Sequence, residues 1–169
     1  EANTKEYQDY AHQVVKNAQA LAKELQNLGV RLQTNGTDNH LMLADITSYG
    51  LTGKQAEAAL FQAGVTTNAN ALPYDKNGAW YTSGLRLGTP ALTTLGMKEG
   101  EMKEVAAIID MVLKGTKPGV TKDGKPAKLK IVLDESVKEA ASKRVQALLS
   151  KFVLYPELDL DFLKKEFVK

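Results

Sequence analysis

From Tyr7 to Leu28, apolar residues recur at three- and four-residue spacing: Tyr7, Tyr10, Ala11, Val14, Ala18, Leu21, Ala22, Leu25 and Leu28. That spacing predicts one long helix with a single apolar face. Such a face is stable only when a second layer covers it, so an isolated helical rod is excluded. Asn3 with Glu6 reads as a capping box ahead of this helix, and Gly29 as its stop. Two further stripes obey the same rule. Met102, Val105, Ala106, Ile109, Val112 and Leu113 predict a helix over about Lys98–Lys114. Val137, Ala140, Ala141, Val145, Leu148, Leu149 and Phe152 predict another that opens at Ser136, with Glu139 completing its capping box. A shorter helix opens on the capping box Thr52–Gln55, runs through Ala56, Ala59 and Leu60, and ends at Gly64.

Between these helices lie the strand signals. Val30–Gln33 reads as a short strand followed by a turn at Asn35-Gly36. His40–Ile46 is apolar on both faces except for Asp45, which predicts a central strand. Gly84–Gly88 alternates, with Leu85 and Leu87 to one face and Arg86 to the other. Thr67–Thr82 carries asparagines, a proline and a glycine, and reads as a long ordered loop; loops beyond about 12 residues are often functional. Lys114–Lys130 holds six lysines, three glycines and two prolines without an aromatic residue, and reads as a solvated loop. The tail from Leu154 to Lys169 mixes apolar and acidic residues and adds at most one short helix. No internal repeat is present. The expected fold is α/β in the α+β sense: one small two-layer domain, two or three short, mainly antiparallel strands with helices packed on them.

The chain has 169 residues, 43% hydrophobic and 25% charged, which suits one domain with its own core. A net charge of +2 is too small to point to nucleic acid or a membrane surface. There is no cysteine, hence no disulfide framework and no thiolate metal site, in keeping with a cytoplasmic location. No apolar run reaches the roughly 20 residues of a membrane span. The sequence opens on Glu1 at the entrance to a helix, which reads as a piece of a longer protein.

Arg86 is the residue with the most chemical promise. Gly84 and Gly88 flank it without side chains, so backbone or ligand can approach closely. Thr89-Pro90 reads as an N-cap and first helical position just beyond. A guanidinium fork near a helix N-terminus favours an anion with two oxygens, a carboxylate first. The competing reading is an exposed arginine on an edge strand. Engines of catalysis are missing: no Gly-x-Ser-x-Gly elbow, no zinc spacing, no carboxylate cluster and no phosphate-binding glycine loop. Of the two histidines, His12 lies off the apolar stripe, and His40, in Gly36-Thr37-Asp38-Asn39-His40, is expected to be a hydrogen-bonded structural residue rather than a catalytic base.

Taken together these segments resemble the C-terminal part of the serine hydroxymethyltransferase family, in order from the first helix to about Leu149. The strings are Tyr10-Ala11-His12-Gln13-Val14-Val15-Lys16-Asn17-Ala18, Gly36-Thr37-Asp38-Asn39-His40-Leu41, Leu51-Thr52-Gly53-Lys54, Asn68-Ala69-Asn70-Ala71-Leu72-Pro73, and Thr82 through Ala91. The resemblance implies a fold-type-I pyridoxal-phosphate enzyme that interconverts serine and glycine with tetrahydrofolate as cosubstrate. It implies a large cofactor domain followed by this small domain (residues 1–169), and a homodimer in the full-length enzyme. By the same resemblance Arg86 grips the substrate α-carboxylate and Asn70 contacts the folate ring. Gly78, Ala79 and Trp80 stand where the family has a Ser-Pro-Phe-type segment lining the folate site. That departure leaves Gly78 and Ala79 only backbone contacts, and leaves Trp80 either as an aromatic wall or as a core residue closing the loop.

The family's cofactor-bearing lysine lies in a threonine-rich segment of the large domain, and Thr93-Thr94-Leu95 is not that segment. The chain alone is therefore expected to be inactive, with neither catalytic nor cofactor-binding residues of its own. Two other readings stand beside this one: an autonomous binding or dimerisation module, and the small domain of a folate-independent aldolase that uses the same carboxylate clamp.

Overall fold

The computed structural model of the chain describes residues 1–167. The strands are β1 (Arg31–Leu32), β2 (Leu41–Asp45), β3 (Asn68–Asn70), β4 (Gly84–Gly88), β5 (Thr116–Val120) and β6 (Pro126–Leu133). The helices are α1 (Lys5–Asn27), α2 (Gly53–Gln62), α3 (Gly78–Tyr81), α4 (Pro90–Thr94), α5 (Glu99–Lys114), α6 (Glu135–Leu149) and α7 (Leu160–Phe167). Four strands form one antiparallel sheet in the order β1-β2-β4-β3, and β5 and β6 form a separate antiparallel hairpin.

Alternation along β2 and β4 gives the sheet its two faces. Met42 lies opposite Leu87 and Ala44 opposite Leu85, and all four are buried. The intervening pairs, Leu43 with Arg86 and Leu41 with Gly88, belong to the other face and are half-buried or exposed. The buried face meets the helices. α1 packs along α5 and touches β2, while α2 touches α5 and β4. Leu21, Leu25, Leu60, Leu85, Met102 and Val112 join this single core, each stabilising the fold by roughly 1.5–3 kcal/mol. The expected two-layer α+β architecture is what the chain adopts.

Local details differ. The α1 cap is Thr4, not Asn3: its hydroxyl accepts from the Tyr7 N–H at 3.3 Å. Tyr7 and Leu28 of the predicted stripe are exposed, whereas Asn17 is wholly buried. The Asn17 amide donates to Thr93 Oγ1 and to the Met97 carbonyl, each at 2.9 Å, so a polar residue joins α1 to α4 and to the turn before α5. Asp134 rather than Ser136 caps α6, because Ser136 already lies inside the helix and its N–H donates to the Asp134 carboxylate at 2.9 Å. The Thr52–Gln55 box forms as expected, with Gln55 N–H to Thr52 Oγ1 at 3.2 Å and Thr52 N–H to Gln55 Oε1 at 2.9 Å.

The segment expected to be a solvated loop, Lys114–Lys130, instead contributes β5 and most of β6. Its pairing was masked by lysines on the exposed positions, while Ala127 turns inward and Gly124 makes the turn at φ +75°. Gln55 anchors this hairpin on α2 by donating to the Ala127 and Lys130 carbonyls at 2.7 and 2.8 Å. The stretch expected to be one long loop, Thr67–Thr82, contains β3 and α3. Both additions raise the strand number above the two or three anticipated. The tail forms α7, and its last two residues lie outside the described residues. Among the described residues no helix is long and apolar enough to cross a membrane.

Candidate functional site

Arg86 sits on an inner strand, with β2 on one side and β3 on the other, so the edge-strand reading does not hold. It is exposed on the face away from the helices. β3 places Asn68 directly opposite it, and Arg86 Nη2 donates to Asn68 Oδ1 at 3.2 Å. Among the described residues no acidic side chain pairs with this guanidinium. Asn70, two positions along β3, shares the same face, opposite Gly84, and its amide donates to the Ala71 carbonyl at 2.7 Å. A planar cation with no acidic partner among the described residues can take a carboxylate bidentately.

The flanking glycines act differently from one another. A Cβ on Gly84 would collide with the Leu72 side chain and come within 3.0 Å of the Asn70 carbonyl. This glycine therefore admits the chain's own backbone, and Gly88 meets nothing closer than the His40 carbonyl at 3.4 Å. The expected N-cap also changes role. Pro90 occupies the first turn of α4, but Thr89 is buried and its hydroxyl donates to the Val14 carbonyl at 2.8 Å, tying α4 to α1. With five residues, α4 sums few peptide dipoles and adds little to anion binding.

Gly78, Ala79 and Trp80 lie in α3, and all three are exposed. Trp80 is 73% exposed, which removes the core-tryptophan reading. α3 leads through Thr82 and Ser83 into β4, so Trp80 stands six residues before Arg86 in the chain. His12 is exposed, as its place off the stripe predicts. His40 is exposed too, and its ring makes no hydrogen bond among the described residues; only its carbonyl is engaged, accepting from the Thr89 N–H at 3.1 Å. The structural-histidine expectation therefore fails, because the turn is held by Thr37 and Asn39 side chains instead.

Sequence reasoning missed Asp75. Its carboxylate accepts from the backbone N–H groups of Leu72, Asn77 and Ser83 at 2.9, 2.8 and 2.7 Å, and from the Ser83 hydroxyl at 2.6 Å. One side chain thus folds the connection between β3 and β4 around itself. Burial pushes its pKa up, but the Ser83 hydroxyl and the three N–H groups outweigh that and hold it below the usual carboxylate value. The available signal was local: an aspartate two residues after a proline, where side-chain oxygens organise turns. Thr82, at φ 57°, adds strain at the same junction, and its buried hydroxyl oxygen has no partner.

A cavity of about 600 Å³ opens beyond Arg86, where β3 stops pairing and leaves Leu87 and Gly88 without a partner on that side. Among the described residues no lysine stands in its wall. Pyridoxal phosphate needs a lysine to carry it and a cradle for its phosphate, so these residues do not fit that cofactor by themselves. Among the described residues no cluster of three or more potential metal ligands occurs.

The family model described as serine hydroxymethyltransferase matches residues 1–109. The serine hydroxymethyltransferase of Salinispora tropica is 53% identical over 160 residues, covering 95% of this chain and 34% of the relative. That of Treponema pallidum is 49% identical over all 169 residues, or 29% of its own length, and that of Cutibacterium acnes 51% over 161 residues, or 33% of its length. The chain thus spans about a third of the length of the curated relatives it matches. The strings around Arg86, Asn70 and the Thr52 cap sit on one sheet and its neighbouring helix, within the region the family model covers, and the chain belongs to the serine hydroxymethyltransferase family.

Proposed function

We propose that this chain is the C-terminal small domain of a longer serine hydroxymethyltransferase, and that Arg86 grips the α-carboxylate of serine or glycine. The observation that carries this reading is the guanidinium itself: exposed on an inner strand and, among the described residues, without an acidic partner and bonded only to Asn68. A charge-assisted bidentate pair contributes roughly 1.5–3 kcal/mol, and its larger effect is to fix the direction of the bond that reacts. Asn70 on the same face would meet the folate ring. Gly78 and Ala79 would offer backbone groups, and the exposed Trp80 an aromatic wall for the folate's flat rings.

Pyridoxal phosphate, held by the remaining two thirds of the protein, supplies the electron-withdrawing chemistry when bound. In this domain the work is to bind and orient the substrate and to exclude water. The chain alone is inactive, and the full-length enzyme works as a homodimer. In the full-length protein, Arg86→Lys is expected to lower serine turnover by at least about tenfold, because lysine lacks the planar fork. Steady-state kinetics checks this, and unchanged kcat/KM for serine removes Arg86 from the site. Binding of a folate analogue to the same protein separates this reading from a folate-independent aldolase, which would bind none.

A further inference from the structure

The β5-β6 hairpin is irregular at one place, and that place touches α3. Pairing joins Pro118 to Ile131 and Val120 to Pro126, so residues 127–130 of β6 stand opposite Gly119 alone. A bulge of this kind takes backbone groups out of the ladder and re-aims side chains. Its carbonyls meet the start of α2 instead. Thr52 Oγ1 donates to the Lys128 carbonyl at 2.8 Å, and Gln55 Nε2 to those of Ala127 and Lys130 at 2.7 and 2.8 Å. Between these two residues, Gly53 donates its N–H to the carbonyl of Thr82, the residue that ends α3, at 3.0 Å. One helix start therefore holds both the bulge and the end of α3.

A side chain completes the link. Lys128 Nζ lies over the Tyr81 ring, 5.0 Å from its centre. Among the described residues no carboxylate pairs with this ammonium, so the ring is the contact its charge makes. Tyr81 is half-buried and follows Trp80 directly in α3. α3 is a single turn, closed by the Thr82 N–H on the Gly78 carbonyl at 3.0 Å, and one turn is too short to hold its shape unaided. We propose that Lys128 is a positioning residue: through the Tyr81 ring, the bulge sets α3, and with it the Trp80 side chain and the Gly78 and Ala79 backbone, for the folate cosubstrate. This rests on the reading of α3 as part of the folate site. A cation–π contact needs a charge above a ring, so arginine can replace the lysine and methionine cannot.

Steady-state kinetics of the full-length enzyme, with serine and tetrahydrofolate varied in turn, tests this. Lys128→Met is expected to raise the KM for tetrahydrofolate about two- to fivefold, the fold-change of an exposed cation–π contact, with kcat and the KM for serine unchanged. Lys128→Arg is expected to keep the parent values. Lys128→Met added to Tyr81→Leu is expected to raise the tetrahydrofolate KM no further than Tyr81→Leu alone, because both remove one contact. An unchanged tetrahydrofolate KM in Lys128→Met, a parallel rise for serine, an arginine variant as impaired as the methionine one, or additive effects in the double variant overturns the proposal. Trp80→Ala separates it from the folate reading. A raised tetrahydrofolate KM there with none in Lys128→Met overturns the role of Lys128 alone, whereas no change in either variant overturns both.

Discussion

Asp75 shows how much one side chain can organise. Four donors converge on it, three of them backbone N–H groups that a shorter residue would leave orphaned. Asp75→Ala is expected to cost about 1–2 kcal/mol, at the lower end for orphaned donors because the site is only half-buried. Thermal melts should register this as a Tm lowered by roughly 2–8 °C at this chain length. The sign of the pH dependence follows from the lowered pKa. The folded carboxylate holds its proton less tightly than the unfolded one, so its stabilisation is complete above the ordinary aspartate value and is lost as pH falls through the folded value. Melts between pH 6 and pH 3 are therefore expected to slope less in Asp75→Asn than in the parent. Thr82 offers the opposite case. A β-branched residue at φ 57° is strained and its hydroxyl is unsatisfied, so Thr82→Gly is expected to leave Tm unchanged or to raise it.

At the scale of elements, glycine contacts decide where α2 can sit. Gly53 opens that helix against the turn before β4, donating its N–H to the Thr82 carbonyl at 3.0 Å. A Cβ there would overlap the Thr82 hydroxyl and lie 2.5 Å from the Gly84 carbonyl. Gly53→Ala is expected to destabilise by about 1–3 kcal/mol through overpacking, measurable by urea titration at unchanged m-value. α6 is held differently. Only Ala141 is fully buried in it, and Arg144 reaches Glu104 of α5 through two bonds of 2.7 Å each. That bidentate pair draws the Glu104 pKa down through the Arg144 hydrogen bonds, against a smaller opposing effect of burial. Hydrogen exchange is expected to be faster in α6 than in α1 or α5, whose buried stripes line the core.

In the whole molecule, one core unites α1, α2, α5 and the inner strands, while the end of the chain contributes little to it. Val153, Leu154, Tyr155, Leu158, Phe162 and Phe167 are all exposed. Removing residues from 154 onward is therefore expected to shift Tm by no more than about 2 °C, since surface changes away from the core are usually within about 0.5 kcal/mol.

Periodicity alone determined the long helices, the central strand, the inward Leu85 and Leu87 and the outward Arg86, because burial on one face repeats with the geometry of the element. Family strings singled out the same arginine and asparagine-rich strand. The hairpin at 116–133 and the strand at Asn68–Asn70 were not legible: lysines, glycines and prolines interrupt the apolar residues of the first and asparagines flank the second, and pairing with a neighbour, not local preference, made them strands. Caps were misplaced by one or two residues because the choice among adjacent polar side chains depends on backbone direction. Only the tertiary structure decided that Arg86 faces Asn68 on an inner strand, that Asp75 gathers the connection beside it, and that a cavity opens where β3 ends. Those facts depend on contacts between residues far apart in the chain, which no local pattern encodes.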